Sequence, residues 1–366
     1  MVLTIIIIRR SVSQVKTPKL LLPALAVSAV LVLAGCSAST PAASAGADGD
    51  LKVVATTTQI ADLTRNIVGD TAGVTVTQLI QPNQSAHSYD PSVADLTALG
   101  AADVLVINGV GLEEWLDDAI AASGFDGITI DSDEGITIQD VEAGHEEEAG
   151  HDDEATDTAE AEDAEHAGEE GEHSHEGGNP HIWTDVSNAE AMAGTIADGL
   201  AAASSTHAAA FEANEAAYTG QLAALDGWIR ENIDAVPAAE RLLVSNHDAF
   251  GYFTAAYGIT YVGSVIPSFD DNAEPSAAEI DTLVAAIKAT GVKAVFSEAS
   301  INPKAADTIA SEAGVTVYSG EDALYGDSLG PAGSDGATYI ASQLHNVRLI
   351  LESWGVTPSA VPADLQ

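Results

Sequence analysis

Twice along this chain, short runs of β-branched residues alternate with segments of helical period, and a long helical stretch separates the two series. In the first series Lys52 to Thr57 (KVVATT) reads as a strand and Gln59 to Val68 as its helix. Val74 to Ile80 is a second strand, Val93 to Leu99 a short helix and Val104 to Ile107 a third strand. Leu112 to Ala122 follows as a helix, with Ile128 to Ile130 closing the sheet. The grammar restarts at Arg241 with LLVS, a helix over Ala249 to Tyr257 and the strand TYVGSVI. It continues with a helix Ala277 to Thr290, a strand Ala294 to Ser297, a helix Pro303 to Ala313 and a strand Val315 to Tyr318. Ala337 to Trp354 is the closing helix. Such βα repetition specifies an α/β fold.

Between the two series, Ala189, Met192, Ile196 and Leu200 keep helical spacing over Asn188 to Ala203. Phe211, Tyr218, Leu222, Leu225 and Ile229 do the same over His207 to Ile233, and Pro237 ends the stretch. The expectation is two Rossmann-like lobes, 51–205 and 237–366, joined by a long rigid connecting helix at 206–236. A helix of that length is a strut rather than a soft hinge, so ligand-induced closure should be a small rotation.

Ahead of residue 51 the chain carries an address. Arg9, Arg10, Lys16 and Lys19 precede an apolar run from Leu20 to Ala34. At about 15 residues that run is short for a membrane span and suits a secretory h-region. It ends Leu33-Ala34-Gly35-Cys36, at the chain's single cysteine. This looks like a bacterial lipobox, implying a signal peptide at 1–35, a lipid on Cys36 and a Ser/Ala/Gly-rich tether over 36–50. The expected location is the outer face of the bacterial cytoplasmic membrane, held by a lipid anchor. With one cysteine, no disulfide forms within the chain. Twelve Lys+Arg against 56 Asp+Glu give a formal net charge of -44, which excludes nucleic acid as a partner. Nothing in the pattern calls for an oligomer, and a monomer is expected.

One tract breaks the α/β grammar. Glu142 to Gly178 holds 16 acids, five histidines and no Lys or Arg. It lacks the apolar residues needed to offset ordering entropy and reads as an acidic, disordered loop. His145, His151, His166, His173 and His175, set among carboxylates, make it a weak multidentate sink for divalent cations; a solvated insertion that aids solubility is the plainer alternative.

Of the remaining histidines, three stand where a ligand is expected. His87 lies in QPNQSAHSYDP after a strand, His181 in NPHIWTD after the acidic tract, and His247 in LLVSNHDAFGYF between a strand and a helix. Open α/β sheets gather ligands outside the carboxyl ends of their strands, so these positions can meet in a cleft between lobes. His207 and His345 sit inside helical patterns and read as surface or packing residues. From the residues alone, Asp327, near Gly326 and Gly330, reads as a helix or turn cap, and Asp322 or Asp248 could then be the fourth ligand. Glu298, ending the strand AVFSE, is either a partner that orients an imidazole or an acid at a helix start.

The segments AHSYDPSVADL, NPHIWTDVSNA, SNHDAFGYFTAAYGI, FSEASINPK and YGDSLG, in this order, resemble the zinc- and manganese-binding solute receptors of bacterial ABC importers. The resemblance runs from about Lys52 to about Trp354, with Asn179 standing where the family's Asp-Pro-His-x-Trp motif has Asp. It implies a metal site of His87, His181, His247 and Asp327, and a membrane permease as partner. The third ligand of this family is a carboxylate in manganese receptors and His in zinc receptors, so His247 implies Zn2+ ahead of Mn2+. Three imidazoles and a carboxylate also suit zinc on chemical grounds.

Two other classes compete with a zinc receptor. A zinc hydrolase would need an open coordination position and a general base, and the chain has neither HExxH nor paired ligands on one helix; an enzyme is not expected. Members of the family have also been described as adhesins, which leaves a metal-binding surface lipoprotein as an alternative.

Overall fold

The computed structural model describes residues 50–139 and 178–366. The leader at 1–35, Cys36, nearly all of the tether and the acidic tract with its five histidines lie outside the described residues.

The first lobe is a parallel four-stranded sheet of order β2-β1-β3-β4, with β1 at Leu51–Ala55, β2 at Val74–Gln78, β3 at Val104–Ile107 and β4 at Ile128–Asp131. Val53 pairs with Val76 on one side and Val104 on the other. The central strands β1 and β3 read VVA and VLVI because both of their faces are covered. Val53, Ala55, Val104 and Val106 meet helices α1 (Thr58–Val68) and α4 (Val186–Ala203). Val54 and Leu105 face away, onto a smaller cluster with Leu99 of α2 (Val93–Leu99) and Leu116 and Ala119 of α3 (Leu116–Ser123). The edge strand β2 alternates half-buried Val with exposed Thr, as one-sided packing requires.

Helix α3 starts four residues later than the apolar pattern suggests. Gly109 and Gly111 take positive φ, and Leu112 N–H and Leu116 N–H close turns onto Gly109 and Glu113. Glu113 is thereby turned inward, where it accepts from Thr56 Oγ1 and Asn108 N–H.

The middle stretch is two helices, divided where the spacing over Asn188–Ala203 and His207–Ile233 leaves a gap. Ser204 and His207 close a short turn after α4, with Ser204 Oγ 2.8 Å from His207 Nδ1. Helix α5 (Ala208–Asp234) then folds back along α4. Only α5 is the strut: it packs on α1 of the first lobe and on α6 (Gly251–Tyr257) and α9 (Tyr339–Trp354) of the second.

The second lobe pairs β5 (Leu242–His247) with β6 (Thr260–Ile266) and β7 (Ala294–Phe296) with β8 (Thr316–Tyr318), all parallel, with β5 beside β7. Helices α7 (Ala277–Thr290) and α8 (Lys304–Ala313) cover the cluster of Val244, Val265, Leu283, Ile287, Val295 and Ile309. Helix α9 crosses back to the first lobe. Tyr339 donates from its N–H to Asp62 Oδ2 and from its hydroxyl to Trp183 O, while Trp354 Nε1 at the other end donates to Leu242 O. One apolar core thus runs unbroken from β1 and β3 through α4 and α5 to α6 and α9.

Candidate metal centre

The strand ends of both lobes point into one cleft. His87 comes from the loop after β2, His181 from the short 3-10 turn that precedes α4, His247 from the last position of β5, and Asp327 from the loop after β8. Strand β5 runs two residues beyond the apolar LLVS run, because His247 still pairs with Ile266 of β6.

One ligand atom from each of the four lies within 4.8 Å of every other, the one such grouping among the described residues. Asp327 is the hub. Its Oδ2 stands 3.1 Å from His247 Nε2 and 3.4 Å from His87 Nε2, and its Oδ1 is 3.2 Å from His181 Nε2. His247 Nε2 and His181 Nε2 are themselves 3.2 Å apart. A tetrahedron with metal bonds of about 2.0–2.2 Å has edges of roughly 3.3–3.6 Å, so this spacing nearly matches a small four-coordinate cation. His181, His247 and Asp327 have fully buried side chains, and His87 keeps 10% exposure, which makes it the group nearest the entrance.

The neighbours of these side chains set which nitrogen faces the cleft. His247 Nδ1 is 2.7 Å from Glu298 Oε1, an oxygen that also accepts from His247 N–H. His181 Nδ1 is 2.8 Å from Asn179 Oδ1, which likewise accepts from His181 N–H. An amide oxygen and a carboxylate can only accept, so each imidazole carries a proton on Nδ1 and presents Nε2 to the cleft. Glu298 therefore orients an imidazole, and the reading of it as a helix-start acid is set aside.

Asp327 is not a cap. Neither of its buried oxygens has a hydrogen-bond partner in the chain, and both face imidazole nitrogens. Asp322 lies in an exposed 3-10 turn and Asp248 is outside the cluster, so neither takes the fourth place. Of the other histidines, His345 is a packing residue whose Nε2 meets Ala323 O at 3.0 Å, and His207 precedes α5.

The charges are strongly coupled. Burial alone would lift the Asp327 carboxyl, but His247 and His181 hold it well below the usual carboxylate range. Burial opposes a charge on His247, yet Asp327 and Glu298 together raise it well above the ordinary imidazole value. His181 is pushed down to about 4, mainly by burial. Unpaired buried carboxylate oxygens beside imidazole nitrogens form a site that favours an added cation.

Comparison with known proteins places the chain among metal-binding receptors. A family model described as "Zinc-uptake complex component A periplasmic" matches residues 53–353. The manganese-binding lipoprotein MntA of Halalkalibacterium halodurans is 30% identical over 318 residues, covering 87% of this chain and 92% of the relative. The manganese-binding lipoprotein MntA of Bacillus subtilis is 30% identical over 329 residues, covering 89% and 96%. Among solved structures, the periplasmic zinc binding protein TroA from Treponema pallidum superposes with a TM-score of 0.69 at 25% identity, covering 84% of this chain and 99% of that one.

Proposed function

The chain belongs to the ZnuA family of zinc-uptake components, and from that premise we propose that it captures Zn2+ outside the cytoplasmic membrane and hands it to an ABC permease. The family is one of metal-binding substrate receptors, not enzymes. The finer choice of metal rests on the donor set. Three imidazole nitrogens around one carboxylate suit borderline zinc better than manganese, which favours oxygen donors. The single observation that carries the reading is the convergence of His87, His181, His247 and Asp327 on one cleft. The four side chains would fill a tetrahedral cation, leaving no position for a reacting substrate.

A second reading is manganese. It is favoured by the names of the two curated relatives, both called manganese-binding. Relatives named lipoproteins also support lipidation at Cys36 and anchoring to the outer face of the cytoplasmic membrane. The acidic tract would collect cations weakly through His145, His151, His166, His173 and His175, next in sequence to the tight site.

Native mass spectrometry after equilibration with zinc and excess manganese tests these readings, on the intact chain and on one lacking 142–177. The deletion keeps the stem, because Asn179 N–H bonds Gln139 O at 2.9 Å. One tightly held zinc in both forms, with weaker extra zincs only in the intact form, is the expected result. Retention of manganese instead would establish the second reading. Loss of all tight metal with the tract would reject the four-residue site.

A further inference from the structure

By sequence order Asp327 is a ligand of the second lobe, reached after β8. Its loop nevertheless divides its bonds between the two lobes. Leu324 and Tyr325 are tied to the second: Leu324 N–H donates to Ser297 O, Ala299 N–H donates to Leu324 O, and Asn346 brackets Tyr325 through its N–H and its carbonyl. From Gly326 onward the partners change. Gly326 O accepts from Gln59 Nε2 at 2.9 Å and from Trp183 Nε1 at 3.2 Å. Ser328 Oγ accepts from Asn83 N–H at 2.8 Å, and Leu329 N–H donates to Thr58 Oγ1 at 2.8 Å. All four donors or acceptors on the far side lie in the first lobe, on α1, in the His87 loop and in the 3-10 turn that holds His181.

Gln59 is the centre of this arrangement. It is 2% exposed, and Thr58 Oγ1 donates to its Oε1 at 2.7 Å, which turns the amide so that its NH2 must face Gly326 O. A buried glutamine with both amide ends satisfied has one orientation. We infer that Gln59 is a positioning residue for Asp327, so that His87, His181 and Asp327 form a half-site carried by the first lobe and His247 is the ligand that closes it. This rests on the receptor reading above. It moves the boundary between the lobes to the peptide between Tyr325 and Gly326. Any rotation of the second lobe then carries His247 and Glu298 together, since both sit on its strand ends, and leaves Asp327 with the first.

Variants of the intact, detergent-purified chain test this, with cobalt as a visible probe of coordination and zinc for release rates. Gln59→Leu removes the donor to Gly326 O; Gln59→Glu keeps the shape and replaces the donor by an acceptor, should the first variant fold poorly. Both should speed zinc release to a chelator by roughly 10–100-fold while the far-ultraviolet spectrum stays native. His247→Ala should still bind cobalt weakly with an altered visible band, and adding Gln59→Glu to it should abolish that binding. Unchanged release from a folded Gln59→Glu chain would overturn the inference, as would cobalt binding that survives Asp327→Ala but not His247→Ala. A parent chain that binds neither metal would instead overturn the receptor reading itself.

Discussion

An imidazole offers a metal one nitrogen only when the other holds the proton, and the group accepting that proton sets how strongly the free nitrogen donates. Here the two fully buried histidines differ: His247 leans on the carboxylate of Glu298 and His181 on the neutral amide of Asn179. Glu298→Gln should therefore lower zinc affinity by roughly 10–100-fold, and Asn179→Asp should raise it, both read by competition with a chelator of known strength. Equal affinities in all three proteins would refute this account of the imidazoles. Protons compete for the same nitrogens. His247 is held protonated above its ordinary value by Asp327 and Glu298, so zinc binding near neutral pH must expel a proton from it. His181, pushed down to about 4, is already neutral there. Calorimetry in buffers of different ionisation enthalpy should show about one proton released per zinc near pH 7. Affinity should fall as the pH drops from there, because zinc must displace the His247 proton against a rising proton concentration and the raised His87 adds a second competitor. Release of no proton would contradict the assignment.

At the scale of elements, two features position the site. The loop carrying Asp327 approaches Glu298 so closely that a Cβ on Gly326 would stand 2.0 Å from Glu298 Oε2. Gly326→Ala should push Glu298 off His247 and weaken zinc binding in a chain that still folds; an unchanged zinc affinity would show that the loop can yield. The other feature is the α4–α5 pair, whose packing holds the lobes at their spacing. Phe211 of α5 is fully buried in the shared core, and Phe211→Ala should cost about 3–5 kcal/mol in urea unfolding. That loss belongs to packing, so the folded variant should keep its zinc affinity.

For the whole molecule, the continuous core decides how far the lobes can part. Residues of β1, α1, α4, α5, α6 and α9 share one apolar cluster, and α5 and α9 each bond or pack on both lobes. Packed interiors have discrete arrangements and resist wide opening. Solution scattering with and without zinc should therefore show a small rotation, and a large change in radius of gyration would reject the strut. The net charge of -44 draws cations of every kind toward the surface and is screened by salt, so it concentrates metal without choosing it. Choice belongs to the four side chains in the cleft.

Much of this was legible in local pattern. Short β-branched runs such as KVV and VLVI mark strands, helical spacing marks α4 and α5, and His87, His181 and His247 each stand beside an element end where side chains are free to face a cleft. These are properties of neighbours along the chain, which is why α2, β3, β6 and α7 fall at their expected residues. The late start of α3 follows from turn bonds that periodicity does not encode. Glu298 could be placed at a strand end by sequence, but its meeting with His247, 51 positions away, depends on two adjacent strands. The loyalty of Asp327 was hidden altogether. Chain order assigns it to the second lobe, while its neighbours Gly326, Ser328 and Leu329 bond to Gln59, Thr58, Asn83 and Trp183 of the first, at separations only folding can close. Sequence determined the elements and the candidate donors, because both depend on residue type and local spacing. Tertiary structure alone decided which acceptor each imidazole leans on and which lobe holds the carboxylate, because those contacts join segments that are far apart in the chain.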